Sequence, residues 1–200
     1  MTEQSLYALN TRRGQIQLPT FLPVTTFGNK YPLDRLIRPY LPRLCQGILV
    51  SHHYAAHLDD HPEEHPGIPL FIDSGGFALL FEGSKVEKHN NVFSITTHGG
   101  DHITPDQVLE RQMRHAEIGA TLDFPIPPKC ESQLERNHRF KATIANAEWA
   151  LRNNRRADLL LYASLQCWDA DSAREAASTY TQMKHHDRTF AGIAIGGMVP

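Results

Sequence analysis

The chain has 200 residues, 40% of them apolar, and 20 basic and 22 acidic residues give it a formal net charge of −2. This length suits one domain or part of a larger one. The small net charge weighs weakly against nucleic-acid binding, although a local basic patch can still bind phosphate. No run of eighteen apolar residues and no secretory signal pattern occurs, and three widely spaced cysteines without a C-x-x-C pair predict a reducing, cytoplasmic compartment rather than a disulfide framework or a zinc knuckle.

Short apolar strands alternate with amphipathic helical stretches along the chain. The pattern predicts a hairpin arm and strand at 14–27 and further strands at 47–53, 70–76, 120–128, 157–166 and 189–200. It predicts helical stretches at 32–44, 104–119, 136–156 and 169–186, and a hairpin around a Gly-Gly pair at 91–105. The stretch at 104–119 has the clearest helix signals, which are a Thr cap, a first-turn Pro and acid, and a final Gly.

This alternation predicts the fold class. Strands separated by helices imply right-handed βαβ units with parallel pairing, and strands that are apolar on both faces suit a sheet covered by helices. Polar or glycine residues follow the strands at His52-His53, Asp73-Ser74, Asp123, Gln166 and Gly196-Gly197. Barrels and open sheets both place their sites at these carboxyl ends. The absence of G-x-G-x-x-G and Walker-type loops in the sequence disfavours an open sheet that binds a nucleotide cofactor.

Four segments carry a resemblance to a known family. They are DSGGF at 73–77, LDFPIPP at 122–128, Gln166 at a strand end and AIGG at 194–197. In this order they resemble the tRNA-guanine transglycosylases, from about residue 9 onward, and LDFPIPP and IGGMVP look closer to the archaeosine-type branch. The resemblance implies an α/β fold of the (β/α)8 TIM-barrel type, with about six of eight strands in a single domain, 1–200, truncated at its C-terminal end.

The resemblance also implies an activity for the complete protein. Members of the family replace guanine in tRNA by a 7-deazaguanine through a glycosyl-enzyme intermediate. Such an exchange needs a carboxylate nucleophile, an acid that protonates the departing purine, and a pocket that reads the base. By resemblance, Asp73 is the expected general acid/base, and partial desolvation at a strand end can raise the pKa of a carboxyl group toward neutral pH.

The expected substrate-binding residues surround this acid in the sequence or close later strands. They are Ser74, Gly75, Gly76, Phe77, Asp123, Gln166, Gly196, Gly197 and Met198. Glycines allow a base and its ribose to approach the backbone, and Phe77 offers a ring for stacking. Asp123 has acceptors for N1–H and the 2-amino group of guanine, and Gln166 can give the base one donor and one acceptor.

The sequence departs from the family pattern at several positions. Ala78 replaces the Gln that follows DSGGF, SHHYA at 51–55 replaces GNTYH, and Cys167-Trp168 replaces Gly-Gly after Gln166. His52 thereby stands where the family has an Asn that supports the nucleophile. The nucleophilic Asp and the zinc site of the family, built from C-x-C-x-x-C and a distant His, have no counterpart here. We therefore expect no nucleophile, metal or cofactor in this chain, zinc in the complete family member, and no turnover by this chain alone.

Three alternatives remain open at this stage. In the first, the chain is a non-catalytic base-binding or partner subunit or an inactive fragment. In the second, it belongs to an enzyme that inserts 7-deazaguanine into DNA. A third alternative is a metal-dependent barrel hydrolase, because the stretch SHHYAAHLDDHPEEHPG at 51–67 is rich in histidines and acids. The expected partners are tRNA or DNA, a guanine or 7-deazaguanine base, and a second copy or a completing subunit, without a membrane.

Overall fold

A computed structural model describes residues 7–130 and 132–196. The strands are β1 (Ala8–Thr11), β2 (Gly14–Gln17), β3 (Ile48–Ser51), β4 (Leu70–Asp73), β5 (Lys85–His89), β6 (Val92–Thr96), β7 (His102–Ile103), β8 (Ile118–Ala120), β9 (Leu160–Leu165) and β10 (Gly192–Ile195). The α-helices are α1 (Pro32–Ile37), α2 (Leu41–Leu44), α3 (His52–Ala55), α4 (His57–Asp60), α5 (Pro105–His115), α6 (Gln133–Asn153) and α7 (Ala170–Gln182). Short 3-10 turns cover Arg38–Tyr40, Pro62–Glu64 and Gly76–Leu80. Among the described helices, none combines the length and the apolar character that a bilayer crossing requires.

Five strands form a sheet in the order β10-β9-β8-β4-β3. The resolved ladders β3–β4, β4–β8 and β9–β10 are all parallel. Val24 adds a single parallel bridge to Leu49 of β3, which is all that forms of the strand predicted in the second half of 14–27. Each strand of this sheet lies beside the sheet strand that comes before it in the chain, as in a β/α barrel and unlike the strand order of a doubly wound sheet. The predicted α/β class of the TIM-barrel type is confirmed as a partial sheet, and the described strands do not close a barrel.

Side chains replace the strand ladder just after β8. The predicted strand at 120–128 is wrong in its bounds, because only Ile118–Ala120 is a strand. Three prolines at 125, 127 and 128 cannot donate to a ladder. The amide of Phe124 instead donates to Thr143 Oγ1 at 3.1 Å, and the amide of Ile126 donates to Gln166 Oε1 at 3.3 Å. Thr121 N still donates to the backbone oxygen of Tyr162 in β9, at 3.1 Å. Beyond it, side chains from α6 and from the residue after β9 hold the backbone at Phe124 and Ile126.

Other elements also differ from the predictions. The helix predicted at 104–119 ends at His115, and Ile118 begins β8. The strand predicted at 47–53 ends at Ser51, and His52 and His53 begin α3. β5 was not predicted, because its letters KVEKH have no apolar alternation, but it pairs antiparallel with β6 along its whole length. The predicted hairpin at 91–105 corresponds to β6 and β7, joined through the Gly-Gly turn.

The chain divides into two compact units. The first comprises residues 1–73, 111–119 and 156–160. Its interior includes the buried residues of β3, β4 and β8, namely Ile48, Val50, Leu70, Ile72 and Ile118.

The second unit comprises residues 74–110, 120–155 and 161–200. It has two apolar clusters, one centred on Phe93 and Phe124 and the other on Phe140 and Tyr180. Asn146 of α6 is fully buried and binds the backbone of β6, since its side chain accepts from Phe93 N and donates to Phe93 O, both at 2.9 Å. The longest helix is therefore fixed to the antiparallel sheet by a polar contact inside the apolar core.

Candidate active site

Asp73 is the last residue of β4, where it pairs in register with Ser51 of β3. The chain turns at once, because Gly75 has φ of 79°, a conformation that is favourable for glycine and costly for residues with a Cβ. The 3-10 turn at Gly76–Leu80 follows. The apolar strand thus ends at a half-buried acid, and Gly75 allows the reversal that follows it.

A buried carboxylate lies at the centre of the second unit's candidate site. Ser74 Oγ donates to Asp123 Oδ1 at 2.5 Å, and Gln166 Nε2 donates to Asp123 Oδ2 at 2.5 Å. These three side chains, which we call the Asp123 cluster, are only 1%, 8% and 2% exposed for Ser74, Asp123 and Gln166. Donors on both oxygens fix the plane of the carboxylate, because each oxygen is held by a separate part of the chain.

Two of the predicted glycines pack directly against this cluster. A β-carbon at Gly76 would overlap the carbonyl oxygen and Oδ1 of Asp123, and one at Gly196 would overlap Nε2 of Gln166. Gly76 N also donates to Ser74 Oγ at 3.0 Å. The structure therefore gives these glycines a role that the sequence did not predict, which is to leave room for the carboxylate and the amide.

Most of the hydrogen-bonding groups of the Gln166 side chain bind other residues of the protein. Its Oε1 accepts from Ile126 N at 3.3 Å, and one of its two amide hydrogens goes to Asp123. One N–H of the side-chain amide remains for a ligand. Of the donor and acceptor that the sequence analysis assigned to the base, only the donor fits this arrangement.

Tyr180 of α7 is a neighbour of the cluster that the sequence analysis missed. Its hydroxyl is buried and donates to Ser164 O at 2.7 Å. Burial and the negative charge of Asp123 raise the pKa of Tyr180, so the hydroxyl stays neutral. No motif marks this residue, since a Tyr on a helix is ordinarily part of the core.

Phe77 presents its ring to solvent. The residue is 59% exposed, and its only described ring neighbour is Phe81, edge-on at 5.6 Å between centroids. An exposed aromatic beside a buried polar cluster fits the predicted stacking role. The predicted pocket residues Gly197 and Met198 lie outside the described residues.

His52 is not arranged as a metal ligand. Its Nε2 lies 2.6 Å from a guanidinium nitrogen of Arg111, and burial together with that cation lowers the pKa of His52 to about 3. A guanidinium at this distance occupies the space that a metal ion would need. Within the described ranges, the one group with ligand atoms close enough for a metal is His57, His61 and Glu64, which do not lie at strand ends.

The cysteines do not fit the zinc site expected for the complete family member. Cys45, Cys130 and Cys167 are all free and half-buried, and their spacing does not match C-x-C-x-x-C. Cys45 belongs to the first unit and the other two to the second. No zinc chemistry follows from these residues.

The parallel sheet, whose strands follow one another in chain order, defines a protein of the β/α-barrel class. Residues 4–200 match the family model for queuine tRNA-ribosyltransferase, and the chain belongs to this family. The resemblance predicted from the sequence is thereby confirmed.

Two curated relatives are similar over nearly the whole chain. A queuine tRNA-ribosyltransferase of Herpetosiphon aurantiacus is 29% identical in an alignment 210 residues long, which covers 94% of this chain and 50% of the relative. A queuine tRNA-ribosyltransferase of Desulforamulus reducens is 26% identical in an alignment 217 residues long, which covers 98% of this chain and 55% of the relative. The chain therefore spans about half the length of these relatives, and the closer likeness to the archaeosine-type branch stays a prediction.

Proposed function

We propose that the complete protein exchanges guanine in tRNA for a 7-deazaguanine and that this chain supplies its base-binding site. The observation that carries the proposal is the Asp123 cluster, a buried carboxylate held by Ser74 and Gln166. The N1–H and 2-amino group of guanine form a pair of donors, and a fixed carboxylate can accept from both. Each carboxylate oxygen has two lone pairs, so an oxygen that accepts from a side chain can also accept from a base.

The same cluster accounts for selectivity among purines. Adenine presents an acceptor at N1, which would face the carboxylate without a proton between them. A site built to bind substrate N–H groups rejects analogues that lack them by several orders of magnitude, because its buried polar atoms are left unpaired. We infer that the site binds guanine and 7-deazaguanines and excludes adenine.

Asp73 is the residue that we propose as general acid/base. When the bond between the purine and the ribose C1′ breaks, the departing base needs a proton, and the incoming base must lose one. Asp73 lies at the end of β4, immediately before Ser74, and its carboxyl group can give the first proton and take the second. We propose that Phe77 stacks on the base and that Gly75, Gly197 and Met198 line the pocket, whereas the nucleophile and the zinc of the family belong to the rest of the complete protein.

Incorporation of labelled guanine into tRNA tests the acid/base role. With the complete protein, Asp73→Ala is expected to abolish exchange, and Asp123→Asn to reduce kcat/KM by at least about a hundredfold, because an amide nitrogen would meet the base donors. Asp171→Asn is the matched control, since Asp171 is an exposed carboxylate in an i,i+3 pair with Arg174. Exchange that persists in Asp73→Ala would remove the assigned role.

Equilibrium dialysis of this chain with labelled guanine or adenine separates binding from turnover. The proposal expects guanine to bind, adenine not to bind, and Asp123→Asn to lose guanine. Binding without exchange in the complete protein would instead favour a non-catalytic base-binding subunit, and exchange into DNA but not tRNA would favour the DNA-modifying alternative. Lack of discrimination between the two purines would overturn the proposed base site.

Compartment and assembly belong to the same proposal. Three free cysteines suit a reducing environment, so we propose that the protein acts in the cytoplasm. We also propose that a second copy or a completing subunit joins the chain in its active form. Mass measurement of the purified native complex tests this assembly.

A further inference from the structure

We propose that His57, His61 and Glu64 form a binding site for a divalent transition-metal ion, with Zn²⁺ as its simplest occupant. The three residues, which we call the 57–64 site, lie together in the first unit. The proposal does not depend on the proposed base exchange, because none of the three belongs to the Asp123 cluster.

The local backbone places the three side chains on one side. His61 N donates to His57 O at 3.0 Å, which makes the two histidines i and i+4 partners across one helical turn at α4. Glu64 N then donates to His61 O at 3.1 Å through the 3-10 turn at Pro62–Glu64. Two consecutive turns therefore direct both rings and the carboxylate to the same place.

The side chains already converge. One ligand atom from each residue lies within 4.8 Å of the other two. The imidazole rings are stacked with centroids 4.4 Å apart and planes inclined by 28°. His57 Nε2 is buried and lies 3.3 Å from Glu64 Oε2, a contact of ion-pair distance without regular hydrogen-bond geometry. A buried ring nitrogen without a regular hydrogen bond is an unmet ligand atom, and metal coordination would satisfy it.

The donor set limits the kind of metal. Two imidazoles and one carboxylate suit Zn²⁺, Co²⁺, Ni²⁺ and Cu²⁺, whereas Ca²⁺ and Mg²⁺ prefer oxygen ligands. Three protein ligands leave a fourth position for water or another small ligand. His61 is half exposed, so an ion can enter from solvent without opening the core.

Arg38 competes with the metal for Glu64. Its guanidinium pairs with Glu64 Oε2, donates to Thr26 O at 3.3 Å and lies over the ring of Phe27 at 4.8 Å. In the metal-free site this cation balances the carboxylate, and metal binding would exchange one positive partner for another. Removal of Arg38 is therefore expected to tighten metal binding, whereas a site that serves only as an ion-pair network gains no affinity for metal from that change.

Calorimetric titration of the untagged chain with zinc chloride tests the proposal, with Co²⁺ absorption as a second readout. The expected result is one equivalent of metal per chain, with His57→Gln and His61→Gln each weakening it by about tenfold or more. Arg38→Gln is expected to strengthen binding. His89→Gln is the matched control, because His89 is an exposed histidine whose Nε2 lies 3.8 Å from a carboxylate oxygen of Glu87. Among the described residues, His89 belongs to no group whose ligand atoms are close enough for a metal.

Thermal unfolding in EDTA establishes that each variant is folded before titration. If His57→Gln fails to fold, His61→Gln remains informative because His61 is half exposed. An absence of zinc binding overturns the proposal. The proposal is also overturned if the His61→Gln variant binds zinc as tightly as the parent chain, or if His89→Gln loses as much zinc affinity as His61→Gln.

Discussion

Position 76 has no room for a side chain, because Asp123 occupies the space. The same holds at position 196, where Nε2 of Gln166 occupies the space that a β-carbon would need. Gly76 therefore leaves room for the Asp123 carboxylate, and Gly196 leaves room for the Gln166 amide. Their effect on base binding is predicted to pass through the geometry of that cluster, since a displaced carboxylate no longer meets both donors of guanine.

Gly76→Ala is predicted to lower guanine affinity by at least about tenfold. The added methyl group must push Asp123 away, and overpacking of this kind typically costs about 1–3 kcal/mol of unfolding free energy. Dialysis with labelled guanine and urea unfolding measure the two effects. Gly99→Ala is the control, because the nearest atom to a β-carbon there is 3.8 Å away. Unchanged affinity in Gly76→Ala would separate the glycine from the base site.

The sequence identified Asp123, Gln166 and Ser74 as site residues, but not that they bind one another. A motif gives residue types at strand ends, and the contact depends on which rotamers the turns after β4 and β9 allow. Tyr180 could not be found at all, because its neighbours come from β9 and 121–127 and no spacing on α7 reveals them. Local pattern therefore located the site, while the packing that orients it needed the tertiary structure.

Elements were predicted best where the pattern was strong. The start of the helix at 104–119 is confirmed, because its Pro lies at the first helical position, but the helix ends at His115, and the Gly119 predicted to end it lies in β8. The strand at 70–76 is confirmed from Leu70 to Asp73, where the sequence changes from apolar to polar. The segment 120–128 was mispredicted because its apolar letters look like a strand, although the amides of Phe124 and Ile126 bind side chains from distant elements. Both outcomes follow from whether the hydrogen-bond partners lie within the segment or outside it.

Helices α3, α4 and α5 meet in the first unit around a polar group. Arg111 of α5 contacts His52 of α3 and donates to Asp59 of α4 at 2.8 Å. Asp59 also accepts from His115 at 2.9 Å. A histidine buried beside an arginine is stable only in its neutral form, and burial and Arg111 accordingly lower the pKa of His52 from 6.5 to about 3.

The free energy of unfolding is therefore predicted to fall as the pH drops below about 6.5. In that range the unfolded chain binds a proton at position 52 and the folded chain does not, so each pH unit removes up to about 1.4 kcal/mol from this residue. The effect ends near the folded pKa of about 3. In urea unfolding at several pH values, His52→Asn should have a shallower dependence than the parent chain. Substitution of the exposed neighbour His53 is the control, and an identical slope in parent and His52→Asn would contradict the prediction.

At the scale of the whole molecule, the first unit is assembled from three separate stretches of chain, and Glu117 joins them. Its side chain is fully buried, and its Oε2 accepts from Leu70 N at 3.0 Å. Oε1 lies 3.6 Å from the guanidinium of Arg13 and 3.9 Å from that of Arg156. Arg156 also donates to Met113 O at 3.0 Å, so the stretch at 156–160 is anchored to the end of α5 as well. Glu117, which belongs to the stretch at 111–119, thus contacts residues from both of the other stretches.

Glu117→Ala is predicted to lower the free energy of unfolding by about 3–5 kcal/mol, because it leaves partly buried arginines without their anion and the Leu70 amide without an acceptor. Glu117→Gln should cost less, since an amide oxygen can still accept from Leu70. Glu148→Gln is the control, because Glu148 forms an exposed i,i+4 pair with Arg152, of the kind that contributes about 0.3–0.5 kcal/mol. If Glu117→Gln and Glu148→Gln lose the same stability in urea, the charge on Glu117 does not hold the three stretches together. A loss in Glu117→Gln well above that of the control would show that it does.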